Sequence, residues 1–111
     1  MSSTFKYVRG DTGPQLKVTV VDDGTDQPVD LGGAVVTLHF RAAGEDNVLF
    51  SRQLVIPSNT AAQGVAVVDW DEGDLDQEAG TYEGEIEVVR ANGIRETMYD
   101  KLKFKIRDDF A

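Results

Sequence analysis

The side chains that most often carry out catalysis are scarce in this sequence. His39 is the single histidine, and there is no cysteine among the 111 residues. Serine and cysteine nucleophiles usually rely on a histidine base, and zinc sites are built mainly from histidine and cysteine. The histidine also falls within a predicted strand, on the face opposite Val36, Leu38 and Phe40, which indicates a solvated or interface position. We therefore expect no catalytic residue and no enzyme activity.

Two acidic segments are the candidates for cation binding. Residues 69–78 hold six acidic residues and no basic one, and Asp22, Asp23, Asp26 and Asp30 crowd an earlier loop. Calcium prefers six to eight oxygen ligands, so either segment could hold it. Neither segment matches the spacing of an EF-hand loop, and a solvated acidic loop is the other interpretation. The sequence leaves both calcium binding and a solvated acidic loop open, and we expect no cofactor.

Composition and charge restrict the partners. The sequence is 41% hydrophobic, with 20 acidic and 11 basic residues and a formal net charge of −9. Nucleic acids and anionic membranes bind mainly through lysine and arginine, so neither is expected as a partner. No apolar run approaches the roughly 20 residues of a membrane span, and the first residues do not resemble a signal peptide. We expect one domain, residues 1–111, made in the cytoplasm and without membrane insertion.

Short apolar runs separated by turn residues predict an all-β fold. Leu16, Val18 and Val20 alternate with polar residues, and the same period of two recurs in three later segments. This alternation is typical of antiparallel strands with one buried and one solvated face. The predicted strands are 5–9, 15–22, 34–42, 47–56, 64–70, 81–90, 94–99 and 101–107. The last two are either separate or one strand with a bulge, and 71–78 has room for at most two helical turns.

The dipeptide Asn92-Gly93 is the strongest hairpin signal in the chain. Both residues tolerate a positive φ, as a type I′ turn requires. A strict two-residue loop, however, would place Glu87 opposite Met98 and so mix the buried and solvated faces. We expect a longer loop or a bulge to restore the register.

Tyr82 stands at the start of a strand in a sequence typical of immunoglobulin-like sandwiches. In those folds a tyrosine near the start of the sixth strand hydrogen-bonds to the backbone a few residues upstream. Here an acid, Glu78, lies four residues before the tyrosine, and Gly84 stands where antibody domains have a cysteine. The strand pattern and this corner together predict an antiparallel immunoglobulin-like β-sandwich of seven or eight short strands. A plain core tyrosine is the alternative, and in both cases its role is structural.

Charge is separated between two neighbouring predicted strands. Four of the 11 basic residues lie in 101–107, and Glu83, Glu85 and Glu87 line the strand at 81–90. One interpretation is an intramolecular ladder of cross-strand pairs. The other is a charged strip that docks a partner and sets its register. We expect strands 5–9 and 101–107 to be sheet edges, where an added strand could bind.

The sequence resembles the N-terminal domain of the phage baseplate upper protein family. The resemblance begins with GDTGPQLKVTV at 10–20 and PVDLGGAVVTLHFR at 28–41. It continues with GVAVVDW at 64–70, AGTYE at 79–83 and a hairpin containing Gly93. The matching positions are mostly turn and core residues, so no binding residues are carried over.

The resemblance implies an immunoglobulin-like structural protein of a tailed-phage virion, located in the tail or baseplate, at the neck or on the capsid surface. It implies assembly with other phage structural proteins, as a homo-oligomer where the symmetry of the particle imposes one. Family members continue beyond this domain, whereas this sequence stops at Ala111. The alternative function is a carbohydrate-binding module for host attachment, for which Trp70, Tyr7, Tyr99 and Phe110 are the candidate aromatic residues.

Overall fold

Eight strands make up most of the regular structure in the part of the chain that the structure describes. The computed structural model describes residues 4–22, 24–98 and 101–110. The strands are β1 (Thr4–Val8), β2 (Leu16–Thr19), β3 (Val35–Ala42), β4 (Phe50–Gln53), β5 (Val65–Val68), β6 (Gly80–Val89), β7 (Arg95–Thr97) and β8 (Leu102–Arg107), with one 3-10 turn at Ala61–Gln63. The predicted all-β class and strand number are confirmed. Segment 71–78 forms hydrogen-bonded turns and no helix. Within the described ranges, no helix is long and apolar enough to cross a membrane.

The strands form a large sheet and a small one that enclose a common core. The large sheet has the order β1-β8-β6-β3-β4, with β7 also paired to β6, and the small sheet consists of β2 and β5. The pairs between these strands are antiparallel except β1 with β8, which run parallel. Period-two patterning does not reveal this exception, because β1 and β8 lie at opposite ends of the described chain and no turn joins them.

Aromatic side chains fill the centre of the core. The buried rings are Tyr7, Phe40, Trp70, Tyr82 and Phe104. Phe40 stacks on Tyr82 with ring centroids 5.2 Å apart, and Trp70 meets Phe104 edge-on at 6.1 Å. Offset and edge-on ring pairs add to the stabilisation from buried apolar area. The apolar positions read from the sequence in 16–20, 36–40 and 82–88 all lie in this core.

Gly84 allows β6 to pass close to its neighbours. A Cβ atom at this position would lie 2.7 Å from Leu38 Cδ1 and 2.9 Å from Phe104 Cε2. The position where antibody domains carry a cysteine is therefore filled here by side chains from β3 and β8.

The strand predicted at 47–56 is much shorter in the structure. The chain pairs with β3 only from Phe50 to Gln53. Beyond β4 the Leu54 N–H still donates to the Val36 carbonyl, but Val55 and Val67 exchange hydrogen bonds of 2.8 Å each way. The segment thus crosses from the large sheet to the small one, which ends the strand. The strand predicted at 15–22 is also longer than β2, and the other predicted ranges agree with the structure within two residues at each end.

The hairpin after β6 has a three-residue loop. The Arg90 N–H donates to the Ile94 carbonyl, and only Gly93 of the loop has a positive φ, 89°. The two-residue type I′ turn that the dipeptide favours is therefore not formed, and the expected longer loop is confirmed. A three-residue loop with a final glycine at positive φ is the next commonest hairpin connection. It places Thr97, and not Met98, opposite Glu87.

Strands β7 and β8 lie along the same side of β6. Glu87 pairs with Thr97, whereas Gly84 pairs with Leu102. Glu87 and Gly84 are three residues apart on β6, whereas their partners Thr97 and Leu102 are five residues apart. The chain between β7 and β8 therefore has two residues more than the ladder along β6 requires. An insertion of two preserves which face each side chain occupies. The prediction that these are either two strands or one strand with a bulge falls on Tyr99 and Asp100, which lie outside the described residues.

Candidate functional site

Tyr82 forms the corner hydrogen bond expected from the sequence. Its hydroxyl donates to the backbone carbonyl of Glu78, four residues upstream. Burial raises the pKa of the Tyr82 phenol, and the nearby Glu78 carboxylate raises it further, so the phenol stays protonated and able to donate. The residue joins the loop before β6 to the core and has a structural role.

His39 lies on the outer face of the large sheet among polar neighbours. Its Nδ1 is 2.7 Å from Ser51 Oγ on β4, and its Nε2 is 3.9 Å from Glu87 Oε1 on β6. A serine, a histidine and a glutamate thus lie in a row, but the histidine–glutamate distance is too long for the hydrogen bond that orients a catalytic base. His39 thus lies on the face opposite Val36, Leu38 and Phe40, as the alternation predicted, and its side chain is half-buried.

Three of the six acids in segment 69–78 form ion pairs with arginines. Asp74, 7% exposed, accepts hydrogen bonds from Arg52 Nη2 at 2.6 Å and Arg52 Nε at 3.0 Å. Arg52 Nη1 also lies 3.0 Å from Asp71 Oδ2, and Arg9 Nε donates to Asp76 at 3.0 Å. The Asp74 hydrogen bond is the main cause of the raised pKa of Arg52. Arg52 on β4 and Arg9 after β1 are therefore the cations that contact this loop, and neither Arg52 nor its contact was predicted from the sequence.

The earlier acidic loop uses its carboxylates to form turns. Asp22 Oδ1 accepts from the Gly24 N–H at 2.8 Å, and Asp30 Oδ1 accepts from the Gly32 N–H at 2.9 Å. Asp23 lies outside the described residues. In the part of the chain that the structure describes, no group of three or more acidic or histidine side chains is placed to hold a metal ion.

The acidic face of β6 is partly neutralised within the molecule. Glu83 contacts Arg41 Nη2 at 2.7 Å and Lys101 Nζ at 3.7 Å, and Glu87 lies 3.6 Å from Arg95 Nε. The hydrogen bond from Arg41 is the main cause of the lowered pKa of Glu83. An intramolecular ladder of ion pairs is therefore present. It includes one of the four basic residues of segment 101–107, Lys101.

A basic strip occupies the outer face of β1 and β8. We use this name for Lys6, Lys103, Lys105 and Arg107. The parallel register places Lys6 beside Lys105, and all four side chains are exposed. Lys6, Lys105 and Arg107 line a shallow concave region of about 300 Å³. Sequence reasoning missed Lys6 because the parallel pairing of β1 with β8 leaves no trace in local patterning.

The two strands expected at sheet edges differ in the structure. β1 is an edge strand, as predicted, whereas β8 pairs with β1 on one side and β6 on the other. The prediction that 101–107 is an edge is therefore wrong. At the other end of this strand order lies β4, whose end leads into the small sheet.

Two of the four candidate aromatic residues for sugar binding are buried. Tyr7 and Trp70 are each 6% exposed, and Trp70 Nε1 donates to the Pro14 carbonyl at 3.2 Å. Tyr99 lies outside the described residues. Phe110 is 96% exposed, with the Arg107 guanidinium 4.9 Å from its ring centre. Of the three candidate rings that the structure describes, Phe110 alone is exposed.

Comparison with known proteins supports the class of fold. No protein-family model matches this sequence, and no curated protein matches it. Among solved structures, the chain is similar to CopC from Methylosinus trichosporium OB3b, with a TM-score of 0.52 and 13% sequence identity. The alignment covers 96% of this chain and 86% of that one. The protein is an all-β, immunoglobulin-like sandwich, and the similarity extends to the fold alone.

Proposed function

We propose that the protein is a non-enzymatic structural component of a tailed-phage virion that acts through protein–protein assembly. The observation that carries the assembly role is the free edge of β1, which lies beside a basic strip in a protein of net charge −9. Sheet edges with unpaired backbone groups bind other chains unless they are blocked or covered.

The virion assignment is supported by the sequence resemblance to the baseplate upper protein family. The immunoglobulin-like sandwich is the fold which that resemblance implies. We place the protein in the tail or baseplate, at the neck or on the capsid surface, bound to other phage structural proteins. A symmetric particle would repeat it in a fixed number of copies. It would be made in the host cytoplasm and would need no cofactor.

Immunogold labelling of purified particles tests this function. Particles are banded on a density gradient from cells that carry the gene, and an antibody against the purified protein is applied. We expect gold at one fixed location on the particle. Absence of the protein from particles that are otherwise complete would overturn the proposal.

Native mass spectrometry across a range of salt concentrations then shows how the protein assembles. A closed ring of three, five or six copies would indicate self-made contacts. A monomer in every condition would indicate that the copies are ordered by a partner on the particle.

A further inference from the structure

Most basic side chains of this protein form ion pairs, and the exceptions cluster. Arg9, Arg41, Arg52, Arg90, Arg95 and Lys101 each lie within 4 Å of a carboxylate. Within the described ranges, Lys17 and the four residues of the basic strip form no ion pair. Four cations are thus left unpaired on one surface of a strongly acidic chain. The strip is an electrostatic complement for an anionic partner.

The backbone of β1 offers hydrogen bonds directly beside these cations. The Arg9 N–H donates to the Arg107 carbonyl at 2.8 Å, which fixes the direction of the parallel ladder. Residues 5, 7 and 9 therefore point their backbone groups at β8, and Lys6 points its N–H and C=O at the free edge. A strand added at this edge would pair with Lys6 and lie next to the basic strip.

The two faces of β1 predict the pattern of the added strand. On the outer face its side chains would lie beside Lys6 and within reach of Lys105, where acidic residues fit. On the inner face they would lie beside Phe5, which packs against the core and stays partly exposed. Apolar residues fit there, because neighbouring strands pack side chains of the same face against one another.

We propose that β1 binds an extended acidic segment of a partner protein as an added strand, with acidic and apolar residues in alternation. This inference rests on the proposed assembly function and names the partner chemistry. A nucleic acid would use the cations but not the strand edge, and the net charge of −9 opposes it. A second copy of this protein is a less suitable source of the added strand. Its acidic strand β6 is already paired on both sides. Acids of its segment 69–78 already form ion pairs with Arg52 and Arg9.

Fluorescence anisotropy with a labelled peptide of alternating glutamate and valine is the test. We expect binding that weakens with salt. The double variant Lys103→Glu, Lys105→Glu should bind about tenfold more weakly, whereas Lys17→Glu, an unpaired lysine on β2, should leave the affinity unchanged. Lys6→Pro, at an edge position that tolerates proline, should abolish binding, and Lys6→Ala should weaken it only modestly. Circular dichroism confirms that each variant is folded.

Four results would overturn the proposal. The first is equal binding of a peptide with the same charge but a proline at its centre, because proline blocks strand pairing. The second is equal binding of single-stranded DNA of the same charge. The third is a dimer that Lys6→Pro abolishes, which would make a second copy the occupant. If immunogold labelling of particles persists with the Lys6→Pro variant, this inference fails while the virion function stands. Absence of the wild-type protein from particles would overturn the function itself.

Discussion

One side-chain hydrogen bond, made by Tyr82, joins the loop before β6 to the large sheet. The Tyr82 hydroxyl reaches the Glu78 carbonyl while its ring stacks on Phe40. The same side chain thus joins a loop to the core by a polar contact and an apolar one. The two contributions can be separated, because phenylalanine keeps the ring and removes the hydroxyl.

Tyr82→Phe should lower the free energy of unfolding by about 1 kcal/mol, the usual net worth of a hydrogen bond. Urea unfolding followed by circular dichroism measures the change. Tyr82→Leu should cost more, since it also removes the stacked ring. A Tyr82→Phe variant as stable as the wild type would show that the hydroxyl contributes nothing to the corner.

Glu83 makes the stability dependent on pH. Its pKa is lowered mainly by the Arg41 hydrogen bond, so the folded state favours the carboxylate more than the unfolded state does. This contribution is fully present above the ordinary glutamate pKa of about 4.3 and is lost as the pH falls through the lower folded-state pKa.

Glu83→Gln should therefore cost about 1 kcal/mol at neutral pH and progressively less in acid. Urea unfolding of wild type and variant between neutral pH and about pH 3 measures the difference. Glu45→Gln, at an exposed glutamate in a turn, serves as the control. A difference for Glu83→Gln that stays constant with pH would contradict the assignment.

Residue types predicted some of these contacts and not others. Tyr82 was predictable because its partner lies four residues away in the chain. Arg52 and Asp74 are 22 residues apart, and neither residue type identifies the other. Gly84 indicated a missing cysteine, but only the packed Leu38 and Phe104 show what replaces it.

At the scale of elements, the edge strand β4 is joined to the loop before β6 by Arg52. The Asp74 carboxylate that receives this arginine is buried and also accepts from the Asp71 N–H at 2.8 Å. Removing one member of such a pair leaves an uncompensated buried charge, which is more costly than losing an exposed ion pair.

Arg52→Met should lower the free energy of unfolding by about 2 kcal/mol, because Asp74 loses its counter-charge. Arg95→Met, which removes a largely exposed partner of Glu87, should cost about 0.5 kcal/mol or less. The double variant Arg52→Met, Asp74→Asn should recover part of the loss, since asparagine still accepts from the Asp71 N–H. Strictly additive losses in urea unfolding would contradict this coupling.

The elements differ in how far local sequence determines them. The alternation in β2, β3, β6 and β8 predicted strands and their buried faces correctly. The end of β4 was not predictable, because it depends on where the chain leaves β3 to meet Val67. The hairpin loop needed one more residue than its dipeptide indicated, and the register with the buried face of β6 decides that length.

At the scale of the whole molecule, Trp70 reports on the packing of the core. It lies among Tyr7, Phe40, Phe50 and Phe104 and is 6% exposed. Its environment therefore depends on elements from both ends of the chain.

We expect blue-shifted emission from Trp70 in the folded protein and weak quenching by acrylamide. The emission should shift to the red on unfolding, together with the loss of circular dichroism, because one cooperative core contains the indole. Addition of glycans should leave the emission unchanged. Separate fluorescence and circular dichroism transitions would show that the core does not unfold as a unit.

The sequence by itself determined the all-β class, the number of strands as seven or eight, the buried faces of β2, β3, β6 and β8, and the tyrosine corner. These features follow from side-chain period and from contacts within a few residues, which local chemistry specifies. Only the tertiary structure decided the parallel pairing of β1 with β8, the internal position of β8, the Arg52 contacts and the convergence of Lys6 with Lys103, Lys105 and Arg107. Such contacts join segments distant in the chain, and their geometry arises only when the whole core packs.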